Sequence, residues 1–152
     1  YLKKTEIESE LGWKIKKPTA LFTFHPETLS SQESSERIRK ILSIISNIGI
    51  NVIFSYSNAD HGGRAINREI DLFTSNNKFK YLAVKNLGQL KYLSLLKYID
   101  IVIGNSSSGI IEAASFNKPV VNIGDRQKGR MQSGNVINSE VDNLMKGVKV
   151  GL

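Results

Sequence analysis

Short apolar runs and segments of helical period alternate along the chain, and that alternation constrains the fold more than any other feature of the sequence. The runs are "TALFTF" (Thr19 to Phe24), "NVIFSY" (Asn51 to Tyr56), "KYLAV" (Lys80 to Val84), "DIVIG" (Asp100 to Gly104) and "PVVNIG" (Pro119 to Gly124), each bounded by turn residues. Strands this short and this continuously apolar are buried on both faces of a sheet. Between the first two, Ile38, Ile41, Leu42, Ile45 and Ile48 fall on one helical face, with Ser30 and Glu33 placed as a capping box and Gly49 as the stop. "GRAINREIDLF" and "GQLKYLSLLKYI" read as the next two helices and "GIIEAASF" as a short one. Helices linking parallel strands cover the sheet on both sides, so the predicted architecture is a doubly wound α/β sandwich with five strands. At 152 residues the chain is long enough for one such domain.

In sheets of this kind ligands bind beyond the carboxyl ends of the strands, which directs attention to the loops "HPET", "SNADHGG", "KNLG", "NSSSG" and "DRQKGR". The fourth is the most suggestive. A strand running into a turn of small residues and then a helix offers free backbone N–H groups and the positive end of the helix dipole to an anion. Ser106, Ser107 and Ser108 add hydroxyls and Gly109 permits close approach, as a phosphate site requires; serines that merely cap the helix are the alternative. Glu112, about one turn into the helix, can accept from ribose hydroxyls or simply favour its own helix dipole. His25 follows a strand and precedes Pro26, which restricts its backbone; it can donate to a phosphate, transfer a proton, or do neither. His61, beside Gly62 and Gly63, reads as an exposed turn residue. Arg126, Lys128 and Arg130 can clamp a phosphate from the fifth loop or stay solvated.

A formal charge of +7 agrees with an anionic partner but does not select one. The basic residues are dispersed and no aromatic motif of an RNA-binding sheet occurs, so nucleic acid is not the expected partner. No run approaches the roughly 18 apolar residues of a membrane span. With no cysteine, no metal-ligand spacing and no secretion signal in "YLKKTEIESE", the expected setting is the cytoplasm, without a metal or cofactor. There is no nucleophile elbow, Walker loop or Rossmann glycine fingerprint. The residues by themselves define an anion site for a nucleotide or sugar phosphate, and no reaction.

"GNSSSGIIEAASFNKPVVNIGDRQKGR" (Gly104 to Arg130), "TFHPET" (Thr23 to Thr28) and "YSNADHGGRAI" (Tyr56 to Ile66) together resemble the UDP-N-acetylglucosamine 2-epimerases. More narrowly they are similar to the hydrolysing branch, which releases UDP and N-acetylmannosamine at the start of sialic acid synthesis. The non-hydrolysing branch usually carries an aspartate, a serine and two glycines where this chain has "NSSSG". The resemblance implies a glycosyltransferase-B-like fold of two Rossmann-like halves, of which this chain matches the second, UDP-gripping half. It further implies that His25 contacts the diphosphate, that Ser106 and Ser107 bind phosphate, and that Glu112 holds the ribose hydroxyls. By the same resemblance Arg126 approaches the nucleotide, Asn58 and Asp60 line the cleft, and the backbone around Leu87 reads the uracil edge. The catalytic carboxylates and histidines belong mainly to the other half, so the chain is expected to be an excised domain that binds UDP or UDP-N-acetylglucosamine weakly and turns nothing over. The parent is expected to be a homo-oligomer. A hydrolysing epimerase for a diacetamido sugar, the donor-binding half of a glycosyltransferase and a non-catalytic sugar-phosphate sensor are the competing expectations.

Overall fold

The computed structural model describes residues 1–27, 30–58, 60–124 and 134–152; the side chains of His61 and Ser108 lie outside that description. A first helix, α1 (Lys4–Leu11), leads to β1 (Thr19–Thr23), α2 (Ser31–Ile48), β2 (Asn51–Ser55), α3 (His61–Ser75) and β3 (Tyr81–Val84). The chain continues through α4 (Gly88–Tyr98), β4 (Ile101–Gly104), α5 (Ser107–Ser115), β5 (Val120–Ile123), β6 (Val136–Ser139), a 3₁₀ turn and α6 (Leu144–Gly151). All six strands are parallel, in the order β3-β2-β1-β4-β5-β6. The doubly wound α/β architecture expected from the alternation is what the chain adopts, with six strands among the described residues where five were expected, and it agrees with the Rossmann-like half that the resemblance implies.

Local chemistry explains the helix that the sequence marked most clearly. Ser30 caps α2 through its hydroxyl, which accepts from the Glu33 N–H at 3.2 Å, and Gly49 ends the helix in the left-handed conformation at φ 83°. Between those ends Ile38, Ile41 and Ile45 are fully buried. They join α3 and α6 on one face of the sheet, over Phe22 and Phe54, whose ring centroids are 5.1 Å apart. Leu21, Ile53 and Val102 point the other way, into a second core with Ile7 of α1, Leu95 and Leu96 of α4, and Ile110 and Ala113 of α5. Residues of β4 and β5 are buried on both sides, which is why β4 reads as an apolar run and β5 as one interrupted only by Asn122, whose Nδ2 donates to Asn138 Oδ1 at 3.0 Å.

Three elements were not read from the sequence. Strand β6 is a short edge strand whose side chains are only partly buried, so "VINS" lacks the apolar signature of its neighbours. Helix α1 buries only Ile7, and α6 carries two glycines and two valines, which are weak helix formers held here by packing. Among the described residues, no helix is long and apolar enough to cross a membrane.

Candidate anion site at the carboxyl ends of β1 and β4

The strand order places a topological switch point between β1 and β4: the chain builds outward through β2 and β3, then returns to the opposite side of β1. A crevice opens at such a point, where successive loops diverge. His25 follows one of the two flanking strands, and Asn105, Ser106 and Ser107 follow the other.

The two strand ends meet very closely. Gly104 has φ 141°, and a Cβ there would lie 1.8 Å from the Thr23 carbonyl oxygen, so only glycine lets β4 end against β1. The next residue, Asn105, is fully buried. Its Oδ1 accepts from the His25 N–H at 2.7 Å, its Nδ2 donates to the His25 carbonyl at 2.9 Å, and its own N–H donates to Thr23 O at 3.1 Å. Sequence reasoning passed over Asn105, because an asparagine ahead of serines reads as a turn former.

The imidazole of His25 is tied to the loop after β2. Its Nδ1 lies 3.1 Å from Ser57 Oγ, and that hydroxyl donates to Asn58 Oδ1 at 3.2 Å. The direction of the Nδ1–Ser57 hydrogen bond depends on the imidazole tautomer, and Nε2 is the ring nitrogen on the side away from Ser57. Ser57 is in turn held by Asn67, whose Oδ1 accepts the Ser57 N–H at 2.8 Å. Asn58 and Asp60 are both exposed. Asp60 caps α3, its Oδ1 accepting from the Gly63 N–H at 2.7 Å, a local structural role that the sequence reading did not assign. Gly62 packs against Pro26, leaving no room for a Cβ, and so locks the second loop to the first.

Just before this loop, the Tyr56 hydroxyl donates to the Asp71 carboxylate. Burial first, and then that hydrogen bond, pushes Tyr56 from its ordinary 10.0 up to about 12. A folded-state value above the unfolded one favours the neutral phenol. This contribution to stability is therefore complete below pH 10 and lost as the pH rises toward 12. Urea midpoints measured across that range are expected to fall in the natural chain and to fall less in Tyr56→Phe.

On α5, Ser106 takes the N-cap position with extended backbone, and Ser107 begins the helix, half-buried. Gly109 is buried; a Cβ there would lie 3.1 Å from a Val102 methyl, so its absence lets the helix settle close to β4. Glu112 stands one turn beyond Ser108 and Gly109 on the same side of the helix. Its Oε2 is shielded from solvent and has no hydrogen-bond partner among the described residues. Leu87 sits at the N-cap of α4 with its side chain in the second core, so only its main chain is available to a ligand. Arg126, Lys128 and Arg130 lie outside the described residues, as does the His61 side chain.

A cavity of about 700 Å³ opens nearby, between α2 and the turn after β6. Glu33, Glu36, Glu140 and Asp142 line it, while its two cations are already engaged, Arg37 by Glu27 at 2.7 Å and Lys40 by Asp142 at 2.5 Å. An anion is disfavoured there and favoured at the start of α5. Among the described residues no cluster of three or more potential ligands for a metal ion occurs.

A family model described as UDP-N-acetylglucosamine 2-epimerase matches residues 1–149. A GDP/UDP-N,N′-diacetylbacillosamine 2-epimerase (hydrolyzing) of Campylobacter jejuni is 40% identical over 145 residues, covering 95% of this chain. The polysialic acid biosynthesis protein P7 of Escherichia coli is 39% identical over 151 residues, covering 97%. The chain spans 38% of the length of each of these curated relatives. The crystal structure of Methanocaldococcus jannaschii UDP-GlcNAc 2-epimerase in complex with UDP-GlcNAc and UDP superposes with a TM-score of 0.73 at 21% identity, over 99% of this chain and 42% of that one. At that identity the likeness establishes the fold alone.

Proposed function

Since the chain belongs to the UDP-N-acetylglucosamine 2-epimerase family, we propose that it is the UDP-gripping half of a hydrolysing 2-epimerase. The observation that carries this reading is the buried Oε2 of Glu112, which has no partner among the described residues, one turn into a helix whose N-terminus opens at the switch point. A buried carboxylate oxygen without a donor is costly in the free chain, and a ligand that brings hydroxyl groups relieves that cost. In this reading the diphosphate lies at the N-terminus of α5 beside Ser106, Ser107 and Ser108, with Gly109 permitting close approach. His25 donates to it from the facing loop, and the ribose hydroxyls reach Glu112. Asn58 and Asp60 line the rim, the main chain at Leu87 meets the base, and Arg126 closes from the fifth loop.

The parent reaction in this reading removes the proton at C2 of the sugar and breaks the C1–O bond to UDP, leaving a glycal. Water then adds across the double bond with C2 inverted, giving the free 2-epimer and UDP. Holding the departing diphosphate is this half's contribution, because developing negative charge on the leaving oxygen is met by the helix N-terminus and by His25. The acid and base carboxylates are supplied by another part of the parent, which acts in the cytoplasm and assembles as a homo-oligomer. The names of the two relatives point to a diacetamido sugar in one case and to polysialic acid in the other, and 40% against 39% identity does not choose between them.

Titration of the chain with UDP, followed by backbone amide shifts, is expected to move resonances at His25, Leu87 and Ser106 to Glu112 together. Ser107→Ala is expected to weaken binding by about three- to tenfold, the loss of one hydrogen bond. Shifts clustered elsewhere, or release of UDP from UDP-N-acetylglucosamine by this chain alone, contradict the reading.

A further inference from the structure

We propose that the end of the sheet opposite the anion site, where the strands begin, docks on an anionic lipid bilayer with the ring of Phe79 seated among the headgroups. The inference stands apart from the UDP-binding reading.

All six strands are parallel, so the segments that lead into them meet at one end of the domain. Residues 14–18, 49–50, 76–80, 99–100, 117–119 and 134–135 lie at that end, and they contain six lysines and one carboxylate, Asp100. Lys14, Lys16 and Lys17 precede β1, Lys78 and Lys80 precede β3, and Lys118 precedes β5. Dispersed in the sequence, these lysines are gathered by the strand order into a band four strand spacings wide, about 19 Å. Among the described residues, Lys17 alone of the six pairs with a carboxylate, that of Asp100 at 4.0 Å. Glu8 of α1 also reaches this end, where its Oε2 accepts from the Ile15 N–H at 2.7 Å. Helices α2 to α5 finish here, so the lysines also answer the negative ends of the helix dipoles.

Helix dipoles do not explain Phe79, which is 74% exposed between Lys78 and Lys80. The turn that carries it is firmly built. The N–H groups of Lys80 and Tyr81 donate to Asn77 O at 3.2 and 3.0 Å, and Trp13 Nε1 donates to the Lys78 carbonyl at 3.1 Å. Lys16 Nζ donates to the Phe79 carbonyl at 2.8 Å and lies 3.6 Å from the centroid of the ring. An aromatic ring held outward among ammonium groups suits a bilayer interface, where the ring enters the headgroup layer and the lysines meet lipid phosphates. The cytoplasmic leaflet carries the negative charge that this requires.

Nucleic acid fits less well. The Lys16 ammonium covers one face of the ring and hinders stacking between bases, and these segments hold no arginine to grip a phosphate or a guanine with two bonds. Docking by this end leaves the switch-point crevice facing away from the bilayer, so UDP and vesicles bind independently.

The experiment measures co-sedimentation of the chain with phosphatidylcholine vesicles, with and without about one-third phosphatidylglycerol. Binding is expected to the anionic vesicles only, at about 0.1 M salt, and to vanish at about 1 M, where charges are screened within about 3 Å. Lys78→Ala with Lys80→Ala is expected to weaken it about 25-fold, roughly fivefold for each lysine. Phe79→Ala weakens it about fivefold or more and keeps the salt dependence. Lys40→Ala with Lys85→Ala removes the same charge from the opposite half and costs less than about threefold. All the substituted side chains lie on the surface, and melting curves check that each variant is folded. Four results overturn the proposal: no binding to anionic vesicles by the natural chain, equal losses in the two lysine pairs, a folded Phe79→Ala that binds like wild type, or tighter binding to DNA than to vesicles through Lys78 and Lys80.

Discussion

Gly104→Ala is expected to destabilise the chain by about 3–5 kcal/mol, the sum of backbone strain at a glycine-only conformation and overpacking against a strand that cannot retreat. The residue has φ 141°, and the atom that a new Cβ would strike is main chain, the Thr23 carbonyl oxygen at 1.8 Å, with the Thr23 carbonyl carbon at 2.7 Å. Strand β1 is paired on both sides, with β2 and β4 in fixed register, so moving Thr23 away disrupts the centre of the sheet. For a domain of this size the melting temperature is expected to fall by roughly 6–20 °C. Gly134→Ala is the control: no atom of the described residues lies within 4 Å of a Cβ there, and the change is expected to cost less than about 0.5 kcal/mol. A melting curve for Gly104→Ala within 2 °C or so of wild type, roughly the effect of under 1 kcal/mol, shows that the strand junction is not tight.

Glu112→Ala should separate stability from binding. Truncating a half-buried side chain usually costs about 1 kcal/mol, but here the lost packing is offset by removal of an oxygen that is buried without a donor. Stability is expected to hold, or to rise by up to about 1 kcal/mol, while UDP affinity falls about tenfold to a hundredfold, the worth of hydrogen bonds to a charged acceptor. The ligand supplies the second half of the comparison. Wild type is expected to bind UDP more tightly than 2′,3′-dideoxy-UDP by a similar factor, and Glu112→Ala is expected to have lost that preference. If the variant still discriminates between the two ligands, the ribose is held elsewhere.

The features that the sequence made legible are those decided by neighbours a few positions away. Period and run length marked five of the strands and the main helices, because one buried stripe or two buried faces leave a repeat in the chain itself. The cap at Ser30 and the stop at Gly49 were equally local. Where local signal was weak, the elements were missed: β6 is a partly buried edge, α1 buries one side chain, and α6 is built from poor helix formers. The candidate site divides in the same way. His25, Ser106, Ser107 and Glu112 stand out by type and by position after a strand. Whether they meet depends on β4 returning beside β1, 81 residues apart at Ala20 and Ile101. Only that adjacency reveals why position 104 is glycine and which main-chain groups of His25 the Asn105 side chain binds, since each is a relation between groups distant in sequence. Asp60 shows the converse, a carboxylate that family resemblance placed in the cleft and that the fold also employs to cap α3. Periodicity is written residue by residue, but strand order is set by which faces bury the most surface together, and a functional crevice forms where that order turns.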